Sequence, residues 1–285
     1  MTSRIGFNVV NEYKSMKGHW ALILGSSSGF GAEISRALAQ NGFNIFGVHL
    51  DRRATLPAVE ELVEELKGYG SRVHFFNINA GDSDAQAQTI SSMKQAMSEA
   101  SDTRIHVMVH SLAFGTLRPF VSGAPEMPGI EGLDPITRKQ LDMTLHVMAN
   151  TLVYWTQGLV AEELLQPSGR IFAMTSSGSE IVIPTYGAVS AAKSALEAHV
   201  RQLAFELAPR GIAVNALRAG VTDTPALRKI PVHNHILTEA ERRNPSGRLT
   251  TPEDVARAVV ALSAPGINWI TGNIINVDGG ELISG

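Results

Sequence analysis

Residues 20–31 read WALILGSSSGFG, an apolar run from Trp20 to Leu24 closed by Gly25, Ser26, Ser27, Ser28 and Gly29 and followed by Phe30 and Gly31. Five consecutive apolar residues suit a strand buried on both faces of a parallel sheet. The continuation is helical. Phe30, Ile34, Ala37 and Leu38 recur at helix spacing as far as Gln40, and Asn41 and Gly42 supply a stop. A strand, a glycine turn and a helix in direct succession form the first unit of an alternating chain.

The alternation continues outward. Strands are predicted over 44–50, 72–78, 105–110, 169–175, 212–217 and 273–277, and helices over 57–66, 84–100, 186–207 and 252–263. After a stretch bearing Pro119, Pro125, Pro128, Gly129 and Pro135, one long helix is predicted over 136–165. Seven strands with crossovers of helix length give an α/β fold, a doubly wound parallel sheet with helices on both faces. The 285 residues allow one large or two small domains. No linker interrupts the series, so residues 19–285 form a single domain and 1–18 an N-terminal arm.

Composition removes several function classes. There is no cysteine, hence no disulfide, thiolate metal site or catalytic thiol, and no metal site is expected. With 24 basic and 27 acidic residues the net charge is −3, which offers no overall field for nucleic acid or an anionic membrane. No run reaches the ~18 apolar residues of a membrane helix. Arg4, Glu12, Lys14 and Lys17 stand among scattered apolar positions, without the apolar block of a secretory signal, and a cytoplasmic protein is expected.

The turn after the first strand has the chemistry of a phosphate cradle. Gly25 permits the tight turn, Gly29 a close approach of backbone to pyrophosphate, and Gly31 close packing of helix on strand, while the helix start offers N–H donors. The G-x-x-x-G-x-G spacing resembles that of the short-chain dehydrogenase/reductase superfamily, and the resemblance runs from about Lys17 to the C-terminus. It implies a Rossmann-type fold, with Gly25, Ser27, Ser28, Gly29, Phe30 and Gly31 around a nicotinamide dinucleotide. Where NAD-dependent members commonly carry aspartate this chain has His49, with Arg52 and Arg53 close behind, so NADPH is favoured. NADH remains open through Asp51. The resemblance puts Asn79 and Ala80 at the adenine. The segment His110, Ser111, Leu112, Ala113, Phe114, Gly115 looks like that of enoyl-acyl carrier protein reductases, which places His110, Ser111 and Ala113 on the cofactor. Taken alone, His110 reads as a satisfied strand-end histidine.

The Tyr-x-x-x-Lys of most such reductases is absent. Tyr186 has Ser190 at the fourth position and Lys193 at the seventh. Seven residues advance a helix by about 700° and rise about 10.5 Å, so the pair shares a face two turns apart. Tyr-x6-Lys resembles the enoyl-acyl carrier protein reductase branch, which implies that Tyr186 binds a thioester carbonyl and Lys193 the nicotinamide ribose. Ser176, 17 residues before Lys193, matches the family's catalytic serine. Gly220, Thr222 and Thr224 resemble the segment that meets the nicotinamide, with Ala219 replacing its usual proline. The register puts Met148 where many members carry an asparagine, so that role is unassigned.

Together these imply reduction of the C=C bond of a trans-2-enoyl thioester, on acyl carrier protein or coenzyme A, by a homotetramer. Segment 222–248, with Arg228, Lys229, Arg242, Arg243 and Arg248 against Asp223, Glu239 and Glu241, is expected to cover the acyl chain and meet an acidic carrier. Its other reading is a solvated helix of mixed charge. A carbonyl or alcohol oxidoreductase and a non-catalytic nucleotide-binding protein are the competing functions.

Overall fold

The computed structural model describes residues 16–99, 104–124, 132–230 and 232–284, so most of the expected N-terminal arm lies outside the described residues. Seven strands form one parallel sheet in the order β3-β2-β1-β4-β5-β6-β7: β1 Trp20–Leu24, β2 Asn44–His49, β3 Val73–Asn77, β4 Ile105–His110, β5 Leu165–Thr175, β6 Ala213–Ala219 and β7 Ile274–Val277. The helices are α1 Gly29–Gln40, α2 Leu56–Gly68, α3 Ser83–Ser98, α4 Arg138–Leu145, α5 Thr151–Ala161, α6 Gly187–Leu207, α7 His233–Arg243 and α8 Pro252–Leu262. The doubly wound Rossmann-type sheet expected from the sequence is the observed one.

Strand alternation explains the two layers. Trp20, Leu22 and Leu24 point into one apolar core with Phe46, Met108, Trp155 and Leu196; Ala21 and Ile23 point into the other with Ile34, Leu38, Phe172 and Val255. Both faces of β1 are therefore covered, which is why its sequence is apolar at every position. Trp20 stacks on Phe46 with ring centroids 3.9 Å apart and planes 8° from parallel, an arrangement worth about 0.5–1.5 kcal/mol beyond area burial.

The helix expected over 136–165 is broken. Between α4 and α5 lies a π-helical turn, His146–Asn150, and the chain has left the helix before Leu165, which already pairs with Ile105 at the start of β5. Threonine hydroxyls engage the ladder on both sides of the turn: Thr144 Oγ1 donates to the Gln140 carbonyl and Thr151 Oγ1 to the Val147 carbonyl. Thr151, just after the turn, meets His110 at the carboxyl end of β4, and Met148 packs with Val189, Ala192 and Tyr186. Ligands of open α/β sheets bind at such carboxyl ends, beside the point where strand order reverses at β1 and β4.

Candidate active site

The chain between β1 and α1 is folded so tightly that Gly25 and Gly31 admit no side chain. A Cβ on Gly25, whose φ is +87°, would lie 2.4 Å from the Ser111 carbonyl oxygen, and one on Gly31 would lie 1.9 Å from that of Gly25. Gly25 N and the fully buried Ser26 N both donate to the Val48 carbonyl, which fixes the loop to β2. Ser28 is the N-cap residue of α1 but makes no side-chain cap bond, and the first turn holds no acidic residue. By contrast α3 is capped by Asp82, while α4 and α8 carry capping boxes from Thr137 and Thr251. The first N–H groups of α1 thus face the crevice with positive partial charge, the requirement for a pyrophosphate. Gly29 meets the Thr224 methyl across the crevice, 3.7 Å from where its Cβ would stand. Phe30 packs sideways into the α1 and α8 core. The cradle fits a dinucleotide.

At the adenosine end the structure revises the sequence reading. All of β2 is buried, and His49 with it. Its Nδ1 lies 3.0 Å from Asp51 Oδ2, so the imidazole supports the carboxylate and does not reach out to a 2′-phosphate. Thr55 Oγ1 donates to Asp51 Oδ1 at 2.7 Å, Ser27 of the glycine loop reaches the same carboxylate, and the Asp51 amide and carbonyl pair with Asn77. Burial raises the Asp51 pKa, but the Ser27, Thr55 and His49 contacts outweigh it and hold the carboxyl below its ordinary range. Arg52 and Arg53 are exposed. Asn79 is exposed as well, its Oδ1 accepting from Gly81 N, while the Ala80 carbonyl accepts from Trp155 Nε1 and that of Gly81 pairs with His146 Nε2. The loop after β3 is thereby tied to α5 and the π turn.

Ser111 donates its N–H to the Leu24 carbonyl, and Ala113 is exposed beyond it. His110 is fully buried. Thr151 gives its hydroxyl proton to Val147, so its oxygen accepts from His110 Nε2 at 2.8 Å, which places the imidazole proton on Nε2. Burial and the neighbouring Lys193 charge push the His110 pKa down to about 3, so the ring is neutral.

Ser176, Tyr186 and Lys193 converge at the ends of β5 and α6. Ser176 caps the turn Ser177–Ser179 by accepting from Gly178 N at 3.1 Å, and its side chain reaches the Tyr186 hydroxyl. Tyr186 immediately precedes α6, after Thr185 at φ +63°, a left-handed conformation that a β-branched residue adopts only under constraint. Its ring packs over Gly178, where a Cβ would lie 2.5 Å from Cε1, and lies among Leu117, Leu145, Met148, Val189 and Ala192. Burial pushes the phenol pKa up, and the Ser176 contact offsets only part of this. Lys193 is buried, and its Nζ donates to the Met174 carbonyl at 2.7 Å. Burial lowers its pKa to about 8 against the pull of Glu197.

Opposite the glycine loop, Gly220 leaves no room for a side chain: a Cβ would lie 2.3 Å from Thr250 Oγ1 and 2.9 Å from Glu281 Oε2. Glu281 also accepts from Val221 N, Thr222 Oγ1 donates to the Gly220 carbonyl, and Thr224 Oγ1 accepts from Leu227 N. Glu281 escaped the sequence reading. In the segment that follows, Arg228 pairs with Asp223, Arg242 with Glu239, Arg243 with Glu281 and Arg248 with Asp254. These four arginines are thus each paired with a carboxylate, two of them with partners outside the segment.

With this geometry in view, the comparisons with known proteins define the class. The family described as Enoyl-(Acyl carrier protein) reductase matches residues 25–281, and the chain belongs to it, within the short-chain dehydrogenase/reductases. It is an oxidoreductase of a family that binds a nicotinamide cofactor. An uncharacterized oxidoreductase of Bacillus subtilis (strain 168), YjdA, is 30% identical over 266 residues, covering 91% of this chain and 95% of its own. The enoyl-[acyl-carrier-protein] reductase [NADH] FabI of Aquifex aeolicus (strain VF5) is 28% identical over 272 residues, covering 95% and 93%. Among solved structures, the promiscuous reductase LugOII, which catalyses keto-reduction at C1 during lugdunomycin biosynthesis, has a TM-score of 0.78 at 26% identity, covering 94% of this chain and 99% of its own.

Proposed function

We propose that this chain reduces the C=C bond of a trans-2-enoyl thioester carried on acyl carrier protein or coenzyme A. One observation carries the reading. The Tyr186 phenol is held by Ser176 and kept protonated by burial, while Lys193 is turned to the Met174 carbonyl. Such a tyrosine is a hydrogen-bond donor rather than a proton-delivery device coupled to an adjacent ammonium. The nicotinamide cofactor supplies the hydride when bound. Tyr186 donates to the thioester oxygen as negative charge develops there, Lys193 adds positive charge nearby and holds the ribose, and the enolate takes its α-carbon proton from solvent water. Phe114, Phe120, Val121, Ile181 and Val182 are exposed apolar residues of the loops after β4 and β5. Phe120 lies against Gly187, next to Tyr186, as an apolar acyl group would require. Assembly as a homotetramer and a cytoplasmic location belong to the same proposal.

The Ser176–Tyr186 contact also serves carbonyl reduction, and it keeps a ketoreductase as the second reading. The test is cofactor oxidation with a trans-2-enoyl thioester beside its matched 3-oxoacyl thioester. Turnover of the enoyl substrate alone is expected; turnover of the 3-oxo substrate alone would install the second reading. Cofactor binding with neither reaction would favour a nucleotide-binding protein without catalysis.

For the cofactor we infer NADH in preference to the NADPH expected from the sequence. The fixed group at the end of β2 is the Asp51 carboxylate, which suits ribose hydroxyls and repels a 2′-phosphate. Asp51→Asn is expected to raise NADPH affinity relative to NADH about tenfold, a difference of about 1.4 kcal/mol. Calorimetric titration of both cofactors checks this, and an unchanged ratio, or NADPH binding tighter than NADH to the wild-type chain, would return the choice to Arg52 and Arg53.

A further inference from the structure

One turn beyond Lys193 on α6, a carboxylate sits where the sequence offers no obvious use for it. Glu197 is buried, and its Oε1 collects three donors from three different elements. Thr175 Oγ1, at the last residue of β5, donates at 2.6 Å. Ser179 Oγ, at the end of the turn that carries Ser176, donates at 2.9 Å. Arg218 Nη2, from β6, lies at 3.4 Å. Thr175 and Arg218 are direct partners in the β5–β6 register, so the sheet itself presents both to the same oxygen. Arg218 is also buried, and its Nη2 donates to Glu180 Oε1 at 2.7 Å, on the far side of the same turn.

Ser176 is therefore enclosed. The residue before it, Thr175, is tied to Glu197. Ser179, three positions after it, donates its hydroxyl proton to Glu197 and its backbone N–H to the Ser176 carbonyl, and Glu180 is tied to Arg218. We propose that Glu197, together with Arg218, is a positioning residue that clamps the Ser176 turn against α6 and supplies the negative charge facing Lys193. The clamp fixes the distance from Ser176 to Tyr186, because Tyr186 opens the same helix. Arg218 is ion-paired with buried Glu197 and, on its other side, with exposed Glu180, while Lys193, one helical turn before Glu197, feels the same carboxylate without bonding to it.

The charged and titratable groups around Lys193 are few, which makes the claim testable. Glu197 faces it from α6 and His110 from β4; His110 is neutral and raises no competing titration near pH 8. Arg218 on β6 acts through Glu197. Deleting the Glu197 charge should let the Lys193 pKa fall, and deleting the Arg218 charge should let it rise, since a repelling cation is gone while the anion stays. A merely structural clamp would move neither.

The test is a pH titration of the Lys193 side-chain 15N resonance in the full chain without cofactor, assigned with Lys193→Arg. In Glu197→Gln the midpoint is expected about one unit lower, in Glu197→Asp close to wild type, and in Arg218→Met higher. If Glu197→Gln does not fold, the upward shift in Arg218→Met still decides. Midpoints unmoved in folded Glu197→Gln and Arg218→Met would overturn the proposal. The functional side of the proposal rests on the enoyl-reductase reading: in Thr175→Val, which loosens the clamp without changing charge, turnover is expected to drop about tenfold with the Lys193 midpoint unchanged. Unaltered turnover in that variant overturns the clamp. Failure of the wild-type chain to reduce any enoyl thioester, with the resonance shifts intact, would defeat the enzymatic reading and leave the Glu197–Lys193 coupling standing.

Discussion

Replacing Tyr186 with phenylalanine is expected to lower turnover of a trans-2-enoyl thioester by about 10²–10³-fold while cofactor affinity stays within about twofold of wild type. The size follows from where the hydroxyl acts. Hydride addition to the β-carbon leaves negative charge on the thioester oxygen, and a donor aimed at that oxygen stabilises the transition state more than the ground state. The donor is already fixed in place. Its ring lies over Gly178, Ser176 holds its hydroxyl, and Thr185 at φ +63° sets the direction in which it leaves the chain. Phenylalanine keeps the ring packing among Met148, Val189 and Ala192, so the loss reads as the hydroxyl alone. Steady-state kinetics with both substrates varied, together with calorimetry of the cofactor, separates the two quantities. Turnover within tenfold of wild type would show that the phenol does not meet the reacting oxygen, and a parallel loss of cofactor affinity would show a structural role.

The parts of this molecule that were legible in its sequence are those governed by local periodicity. β1 and α1 follow from an unbroken apolar run, helix spacing and three glycines: at Gly25 and Gly31 a Cβ would collide with a named carbonyl oxygen, and Gly29 sits at φ +54°. What failed was governed by tertiary context. A π-helical turn adds less than one residue per turn to the spacing, so Val147, Met148 and Ala149 still read as an apolar helix face although the helix is interrupted there. Leu164 and Leu165 continue the apolar pattern of α5, which hid the start of β5. His49 looked like a phosphate ligand because it occupies the end of a strand. A central strand covered on both faces buries that end too, and the rim passes to Asp51 two residues later. Glu197 and Arg218 were invisible for a different reason: their meeting depends on the β5–β6 register that places Arg218 beside Thr175, which no spacing along the chain reveals.

The second large effect is expected at Lys193. Lys193→Met should lower kcat/KM with the enoyl substrate by about 10²–10³-fold and, unlike Tyr186→Phe, should weaken cofactor binding as well. Its pH signature separates the ammonium from mere packing. Burial brings the folded-state pKa down from 10.5 to about 8, opposed by Glu197. As pH rises through 8 the folded chain therefore releases a proton that the unfolded chain retains until about 10.5. The unfolded state binds more protons across that window, so this residue makes stability climb with pH between 8 and 10.5 and penalises the fold below 8. Under the proposed function activity runs the other way, because there the charged form is the one assigned to the ribose and the developing enolate. In the wild-type chain kcat/KM is expected to decline above about pH 8 while denaturation midpoints hold up or rise over the same range. Lys193→Arg, whose guanidinium stays protonated, should push the alkaline limb of any residual activity upward, and Lys193→Met should flatten the stability slope between pH 8 and 10.5. Denaturant titrations at intervals across that window, run beside the rate profile, measure both limbs on one preparation. An alkaline limb that stays near pH 8 in Lys193→Arg would assign the titration to another group and leave Lys193 a buried packing residue tied to the Met174 carbonyl.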